Sequence, residues 1–243
     1  MLNQELLGVN KMELKSEDLL VKAREIVVPG QVLANGMDFL PSEGTYRDNN
    51  EIVSNKLGLV SIDNRVLKVI SLTGAYIPKE NDTVIGKIID MGFSGWFVDI
   101  GSAYLASLSI RDVIDFIDKG ADLTKYYDFN DVIVAKINKI VRFKNIDLTM
   151  KAPGLRKIKG GKIIEVIPTK VPRIIGKQGS MISMIKEYSK CDIIVGQNGK
   201  IWINGNDVKD ELLATKAIMK IEESSHVDGL TNKIKELLEK ESK

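Results

Sequence analysis

Turn residues break most of the first 150 residues into apolar stretches that are too short for ordinary helices. Between Ile26 and Leu72, the runs IVV, LGLVSI and VLKVISL alternate with PGQ, NGM, PSEGTY and DNR. Short β-branched runs bounded by Gly, Pro, Asn and Asp are typical of strands joined by tight turns. We therefore predict a small all-β domain over residues 1–73, with its boundary at the cluster TGAYIPKEND, which begins at Thr73.

A second series of strands extends from Thr83 to Met150. Its apolar runs are TVIGKIIDM, GWFVDI, AYLASL, DVIVAKINKIV and NIDLTM, and we expect the acidic stretch DVIDFIDKGADL to form a helical insert. Five strands with one insert fit an OB-fold barrel over residues 74–151. Because side chains alternate along a strand, Trp96, Val98 and Ile100 should fill the barrel and Phe97 should lie on its outer surface.

Beyond residue 151 the pattern changes to mixed helices and strands. A strand (KIIEVIPTKV) precedes two helices (PRII and SMISMIKEYS), a hairpin (DIIVGQNGKIWING) and a long helix (DVKDELLATKAIMKIEES). This order, β-α-α-β-β-α, occupies residues 152–223. Residues 224–243 repeat apolar side chains at helical spacing, including Leu230 and Ile234, and predict a docking helix. The predicted fold class is multidomain, β-rich followed by α+β.

Composition limits the classes of function. The chain has 243 residues, enough for two or three domains, and its only cysteine, Cys191, cannot form an internal disulfide. No apolar run could span a bilayer, and the acidic N-terminal stretch lacks the core of a signal peptide, so we expect a cytoplasmic protein. The net charge is only +2, yet residues 152–223 contain 13 basic and 8 acidic side chains. A polyanion is the natural partner of that segment.

Within that segment, RIIGKQGSMISMIK places two glycines between two helices. Glycines allow the backbone to approach a ligand closely, and the amides at the start of the next helix favour an anion. The motif resembles the Gly-X-X-Gly loop of type I KH domains, which binds about four nucleotides by their backbone. The alternative is an ordinary tight turn between helices. The candidate RNA-binding residues here are Arg173, Gly176, Lys177, Gln178, Gly179 and Ser180.

In the predicted barrel, GKIIDMGFSGWFVDIG and NIDLTMK resemble the signature of S1-type RNA-binding domains. Phe97 and Phe93 are candidate platforms for base stacking, unless they pack against a neighbouring domain. The S1 pattern often has a histidine where this chain has Ser107, which directs attention to Arg142 and Lys144 as further RNA contacts.

No candidate catalytic site emerges from the sequence. The connector KAPGLRKIKGGK comes near to a phosphate-binding P-loop, but its glycine spacing is wrong and Ile163 stands where a magnesium-binding hydroxyl is required. The only histidine, His226, has no second metal-ligand candidate near it in sequence. We therefore predict no catalytic residues, no metal, no cofactor and no enzymatic activity.

The three-part order, with VVPGQ and SEGTY in the N-terminal domain, resembles the RNA-binding cap subunit of the archaeal exosome. The resemblance implies a noncatalytic protein that captures single-stranded RNA. It also implies that the N-terminal domain docks on a hexameric ring of ribonuclease PH-like subunits with three caps, which degrades RNA phosphorolytically from its 3′ end. One departure is Gln31, where members of the family often have an acidic residue.

Two alternatives use the same modules. A freestanding single-stranded RNA-binding factor would need no nuclease partner. A ribonuclease related to polynucleotide phosphorylase would also contain KH and S1 domains, but it places KH before S1 and needs large catalytic domains for which this chain has no room.

Overall fold

The computed structural model describes residues 18–118, 120–141, 145–224 and 229–241. The chain divides after Thr73 into two compact units. None of the helices among the described residues combines the length and apolar composition that a membrane crossing requires.

The described part of the first unit is all-β. It contains seven short strands: β1 (Ile26–Val27), β2 (Val32–Asn35), β3 (Leu40–Pro41), β4 (Thr45–Asp48), β5 (Glu51–Ser54), β6 (Gly58–Asp63) and β7 (Val66–Ser71). One sheet has the order β1-β6-β7-β3 and the other the order β2-β5-β4. Side chains from both sheets share one core, which includes Val27, Leu33, Phe39, Ile52, Val60 and Leu67. The predicted N-terminal β fold is confirmed.

The turn around Gln31 shows how this chain tolerates its departure from the family pattern. The Gln31 backbone N–H donates to the Val28 carbonyl oxygen, and the Gln31 side-chain oxygen accepts a hydrogen bond from the Val28 N–H at 3.2 Å. An acidic side chain would also act here as an acceptor. Glutamine therefore supplies the acceptor that this turn uses, without a charge.

The second unit begins with a closed barrel. Its strands are β8 (Thr83–Gly92), β9 (Gly95–Asp99), β10 (Ala106–Ser109), β11 (Val132–Val141), β12 (Asn145–Thr149) and β13 (Arg156–Ile158). The sheet order is β12-β10-β9-β8-β11-β13, and an additional pairing between β11 and β12 closes the first five strands. This closure confirms the predicted OB-type barrel, with β13 added beside β11.

Trp96, Val98 and Ile100 are at most 1% exposed, as the alternation along β9 predicts. The Trp96 indole N–H donates to the Tyr127 carbonyl oxygen at 2.9 Å, and the two rings meet edge to face.

The expected helical insert at 112–122 is wrong. Among the described residues between β10 and β11, the only helical turn is the 3-10 turn Leu123–Lys125.

The absence of a regular helix in this insert has a packing explanation. Val113 and Ile117 are buried in the barrel core, which holds the segment against the barrel at two points. The remaining positions include several aspartates and Gly120, which are weak helix formers. Barrel packing and low helix propensity therefore outweigh the helical spacing of the apolar residues.

The rest of the second unit has the KH order. It consists of β14 (Lys162–Glu165), α1 (Val171–Ile175), α2 (Ser180–Ser189), β15 (Asp192–Val195), β16 (Lys200–Asn204), α3 (Val208–Glu223) and a final helix, α4 (Leu230–Glu241). The strands form an antiparallel sheet of order β14-β16-β15. Because β14, rather than a helix, follows the glycines of the basic connector, that connector lacks the strand–loop–helix context of a P-loop.

Helix α4 is part of the KH core. Leu230, Ile234 and Leu238 are at most 1% exposed and pack with side chains of α2 and α3. The Tyr188 hydroxyl on α2 donates to a Glu239 carboxylate oxygen at 3.1 Å. The predicted docking helix is confirmed.

We expect Ile234→Ala to destabilise the second unit by about 2–5 kcal/mol, because the substitution removes a fully buried side chain and leaves a cavity. Equilibrium urea unfolding measures this loss. Lys233→Ala, on the exposed face of the same helix, is the matched control and should change the free energy of unfolding by less than about 0.5 kcal/mol. Equal effects in the two variants would contradict the packing described for α4.

Candidate nucleic-acid interface

The glycine loop joins α1 to α2 through three residues with positive φ. They are Gly176 (φ 74°), Gln178 (φ 53°) and Gly179 (φ 78°). A Cβ at Gly176 would lie 2.7 Å from the Met181 Cβ, whereas a Cβ at Gly179 would meet nothing within 4 Å. Gly176 is therefore required for packing as well as conformation, while Gly179 faces open space and needs glycine for its conformation alone.

The start of α2 is open to an anion. Its N-cap is Gly179, which has no side chain to cap the helix, and the Ser180 N–H donates to the Lys177 carbonyl oxygen. Lys177, Gln178 and Ser180 are exposed around this helix end. The positive end of the helix dipole, together with the Lys177 ammonium, favours a phosphate group here.

Arg173 lies one turn earlier, on the exposed side of α1. The sequence predicts it as an RNA contact, and its position before the loop is compatible with that role. Partly buried apolar side chains of the neighbouring elements, Ile175, Ile182 and Val195, border the KH core. The KH domain thus has exposed cationic groups at the loop and partly buried apolar side chains on α1, α2 and β15, the two kinds of group that a site for an RNA backbone and its bases needs.

On the barrel, Phe97 points outward and is 42% exposed. Its cross-strand partners are Asp90 on β8 and Ser107 on β10. The Ser107 hydroxyl donates to an Asp147 carboxylate oxygen at 3.1 Å. The histidine that the S1 pattern often has at this place is thus replaced by a serine bound to an acid, and the direct cross-strand neighbours of the Phe97 ring are an aspartate and a serine.

Phe93 is fully exposed in the turn between β8 and β9. Val141 ends β11, which is antiparallel to β8, so Val141 and Phe93 lie towards opposite ends of the barrel. Arg142 and Lys144, the two predicted cationic contacts after Val141, lie outside the described residues. Of the barrel candidates, the structure therefore places Phe97 on the side of the barrel and Phe93 at one end.

The other candidate reactive groups are Cys191 and His226. Cys191 is buried, and its burial raises the pKa of the thiol, which lowers the fraction of reactive thiolate. Among the residues that the structure describes, no group of three His, Cys, Asp or Glu side chains is placed to hold a metal ion. His226 lies outside these residues.

Two residues with a role at the border of the two RNA-binding modules were not found from the sequence. Asn198, in the turn between β15 and β16, is buried against the barrel, and Arg156 on β13 pairs with Asp192 on β15. The only sequence feature that marks Asn198 is its place between two glycines in GQNG. The sequence indicated only a tight turn there.

Comparison with known families supports the domain order. A KH domain model matches residues 161–209, and a model described as "Exosome complex exonuclease RRP4 N-terminal region" matches residues 26–63. A solved structure described as that of an exosome complex RNA-binding protein is 36% identical, with a TM-score of 0.62, and the match covers 69% of this chain and 97% of that one. Fold and matches together define a multidomain protein of the KH class.

Curated relatives are more specific. Exosome complex component Rrp4 of Pyrococcus horikoshii is 48% identical over 90% of this chain and 84% of its own length. The proteins of the same description from Thermococcus kodakarensis and Methanothermus fervidus are 46% and 42% identical over 90% of this chain, and over 87% and 97% of their own lengths. The chain belongs to the Rrp4 family of exosome complex components, which confirms the resemblance found in the sequence.

Replacing Lys177 and Gln178 together by Asp should weaken binding of single-stranded RNA by at least about tenfold, because two carboxylates would face the phosphates. Asp is compatible with the positive φ of residue 178, whereas a substitution of Gly176 would disturb Met181. Fluorescence anisotropy with a labelled RNA measures the affinity. The control, Asn206→Asp with Lys209→Asp, makes the same charge change at exposed positions. Equal RNA affinity of the two folded double variants would show that the loop does not contact RNA.

Phe97→Ala should weaken RNA binding by about 5- to 150-fold, which corresponds to about 1–3 kcal/mol for one stacked base. Phe97→Trp should preserve most of the affinity because it keeps an aromatic face. Ile89→Ala is the matched control, since Ile89 is also apolar and 41% exposed on the barrel. If both alanine variants bind equally well, the Phe97 ring does not stack on RNA.

Proposed function

We propose that this chain is a noncatalytic cap subunit of an exosome, which captures single-stranded RNA and delivers its 3′ end to a phosphorolytic nuclease ring. The observation that supports this most directly is the glycine loop at the open start of α2, in a chain whose relatives are described as exosome complex components. The proposed domains are residues 1–73, 74–151, 152–223 and a C-terminal helical extension, 224–243. The proposed location is the cytoplasm.

RNA capture divides between the two modules. The KH loop, with Arg173, Lys177, Gln178 and Ser180, holds the sugar–phosphate backbone, because the helix dipole and cations act on phosphate whatever the base. The barrel contributes stacking on Phe97 and Phe93, which is equally tolerant of sequence. Such a site accepts many RNAs, which suits a subunit that supplies substrates to a general nuclease.

The nuclease activity belongs to the partner in this proposal. The partner is a hexameric ring of ribonuclease PH-like subunits, with three caps on one ring. The family description of the N-terminal region contains the word exonuclease. We assign exonuclease activity to the assembled complex rather than to this chain. The candidate site residues of this chain are groups suited to binding RNA.

The first unit provides a surface for the ring. Ile26, Leu59 and Ile70 are direct cross-strand neighbours on β1, β6 and β7, so they form one apolar row on the outer face of the sheet. Ile26 is 61% exposed and Ile70 56% exposed. A contiguous row of exposed apolar side chains is a typical centre for a protein contact. We therefore assign ring docking to this face.

The test mixes this chain with a ribonuclease PH-like hexamer, measures association by size-exclusion chromatography with mass detection, and follows phosphate-dependent decay of a 3′ single-stranded RNA. We expect a stable complex, faster decay than with the ring alone, and no decay by this chain alone. Ile70→Glu should weaken association because it buries a charge in an apolar contact. Met37→Glu, at a side chain that is 71% exposed and is not a member of the row, is the control.

The outcomes separate the candidate functions. RNA binding without ring association would favour a freestanding RNA-binding factor. Decay of RNA by this chain alone would contradict the noncatalytic assignment. Association that is equally strong in both glutamate variants would place the ring contact elsewhere on the first unit.

A further inference from the structure

The turn between β15 and β16 lies against the barrel. Its Asn198 is 6% exposed, and both ends of the amide group are bonded to barrel backbone. The Asn198 Nδ2 donates to the carbonyl oxygens of Ile85 and Ile100, each at 2.8 Å. The Oδ1 accepts from the Ile85 N–H at 3.2 Å. One side chain thus connects the KH hairpin to two separate segments of the barrel.

Neighbouring contacts extend this junction. The Gln197 N–H donates to the Thr83 carbonyl oxygen at 2.8 Å, so the turn also bonds through its backbone. Trp202 on β16 is 4% exposed and packs with the side chains of the barrel core. The junction therefore has an apolar part and a polar part, both of them buried.

Arg156 forms an ion pair at the edge of the junction. It belongs to β13, in the barrel sheet, and its guanidinium lies 2.7 Å from an Asp192 carboxylate oxygen on β15 of the KH sheet. The same guanidinium is 5.6 Å from the centroid of the Trp202 ring. Both partners of the ion pair are about half exposed, so it adds little stability. The ion pair nevertheless joins the same two parts that Asn198 joins, the barrel sheet and the KH sheet.

The amide bonds determine orientation in a way that apolar packing does not. Hydrogen bonds weaken steeply when donor and acceptor are misaligned. A rotation of the KH sheet relative to the barrel would leave the Ile85 and Ile100 carbonyl groups buried and unpaired, which is costly. A fully satisfied buried network of this kind selects one arrangement of the parts that it joins.

We propose that Asn198 is a positioning residue for RNA, which fixes the glycine loop of the KH domain relative to the Phe97 face of the barrel so that one strand contacts both. The inference rests on the proposed RNA-capturing function. When two sites are held in one geometry, the second contact forms at a high effective concentration and without an ordering cost. The hairpin turn is thereby used to align two binding sites.

The experiment compares two RNAs on the full chain. An oligoadenylate of five nucleotides is long enough for a KH loop, which binds about four. One of 20 nucleotides also spans the barrel, because an OB-fold covers about 4–16. Affinity for the short RNA is measured by NMR titration and for the long RNA by fluorescence anisotropy. The wild-type chain should bind the long RNA much more tightly than the short one.

Asn198→Asp replaces the amide donor by a carboxylate that faces two carbonyl oxygens, and it should release the hairpin from the barrel. We expect affinity for the 20-nucleotide RNA to fall about tenfold, as effective concentration drops, while affinity for the five-nucleotide RNA changes by less than about twofold. Asn206→Asp makes the same charge change at an exposed position and is the control. Equal long-RNA affinity in the two variants would overturn the proposal.

A merely structural role would give a different result. If Asn198→Asp abolishes binding of both RNAs, the same two affinities are measured for the milder variant Asn198→Ala. Loss of binding to both RNAs in that variant as well would show that Asn198 maintains the fold rather than the alignment of the two sites. A wild-type chain that binds neither RNA would contradict the proposed function itself. A wild-type chain that binds both RNAs with similar affinity would contradict only this inference.

Discussion

Strand β11 closes the barrel, and the second unit is built on that closure. Its first half pairs with β8 and β13, and its second half pairs with β12. The segment before the barrel is also bonded to it, since the Asn81 N–H donates to the Ile137 carbonyl oxygen and the Ile137 N–H donates to that of Asp82. Without this strand, neither the core around Trp96 nor the surface that receives the KH hairpin would exist.

We expect the two modules to contribute different kinds of affinity for RNA. Residues 152–223 have a net charge of +5, and the open helix end lies within them. Phe97 has Asp90 and Ser107 as its direct cross-strand neighbours, and the Ser107 hydroxyl donates to Asp147, so the groups named next to the ring are neutral or acidic. The salt dependence of RNA binding should therefore originate mainly in the KH domain. The proposed stacking on Phe97 would add a contribution that salt affects little.

Much of the fold could be predicted because its signals are local. Turn residues marked the strands of both β regions, period-two alternation assigned Trp96 and Phe97 to opposite faces, and helical spacing predicted α4. The glycine loop was also recognisable, because its chemistry depends on a few consecutive residues. Local pattern failed at the insert around Val113 and Ile117, where packing against the barrel prevents a helix.

The junction between the KH hairpin and the barrel could not be predicted from the sequence, because it also depends on distant partners. GQNGK predicts a tight turn equally well whether Asn198 faces solvent or a barrel. The bonded partners of Asn198 are Ile85 and Ile100, which belong to a different domain of the sequence. Trp202 packs with barrel side chains, but nothing in IWING indicates that its neighbours belong to the barrel. Residues whose roles depend on distant partners cannot be assigned from spacing alone.

The bonds between Asn198 and Ile85 join residues 113 positions apart. Contacts across such separations form only after a large loss of chain entropy, and they require that both partners already have their native shape. The barrel and the KH sheet must therefore each be largely formed before the junction can close. We expect interactions that form this late to be absent from the folding transition state, so that their strength sets how slowly the second unit opens rather than how fast it folds. On this expectation, the junction contributes kinetic persistence to the RNA-binding half of the chain.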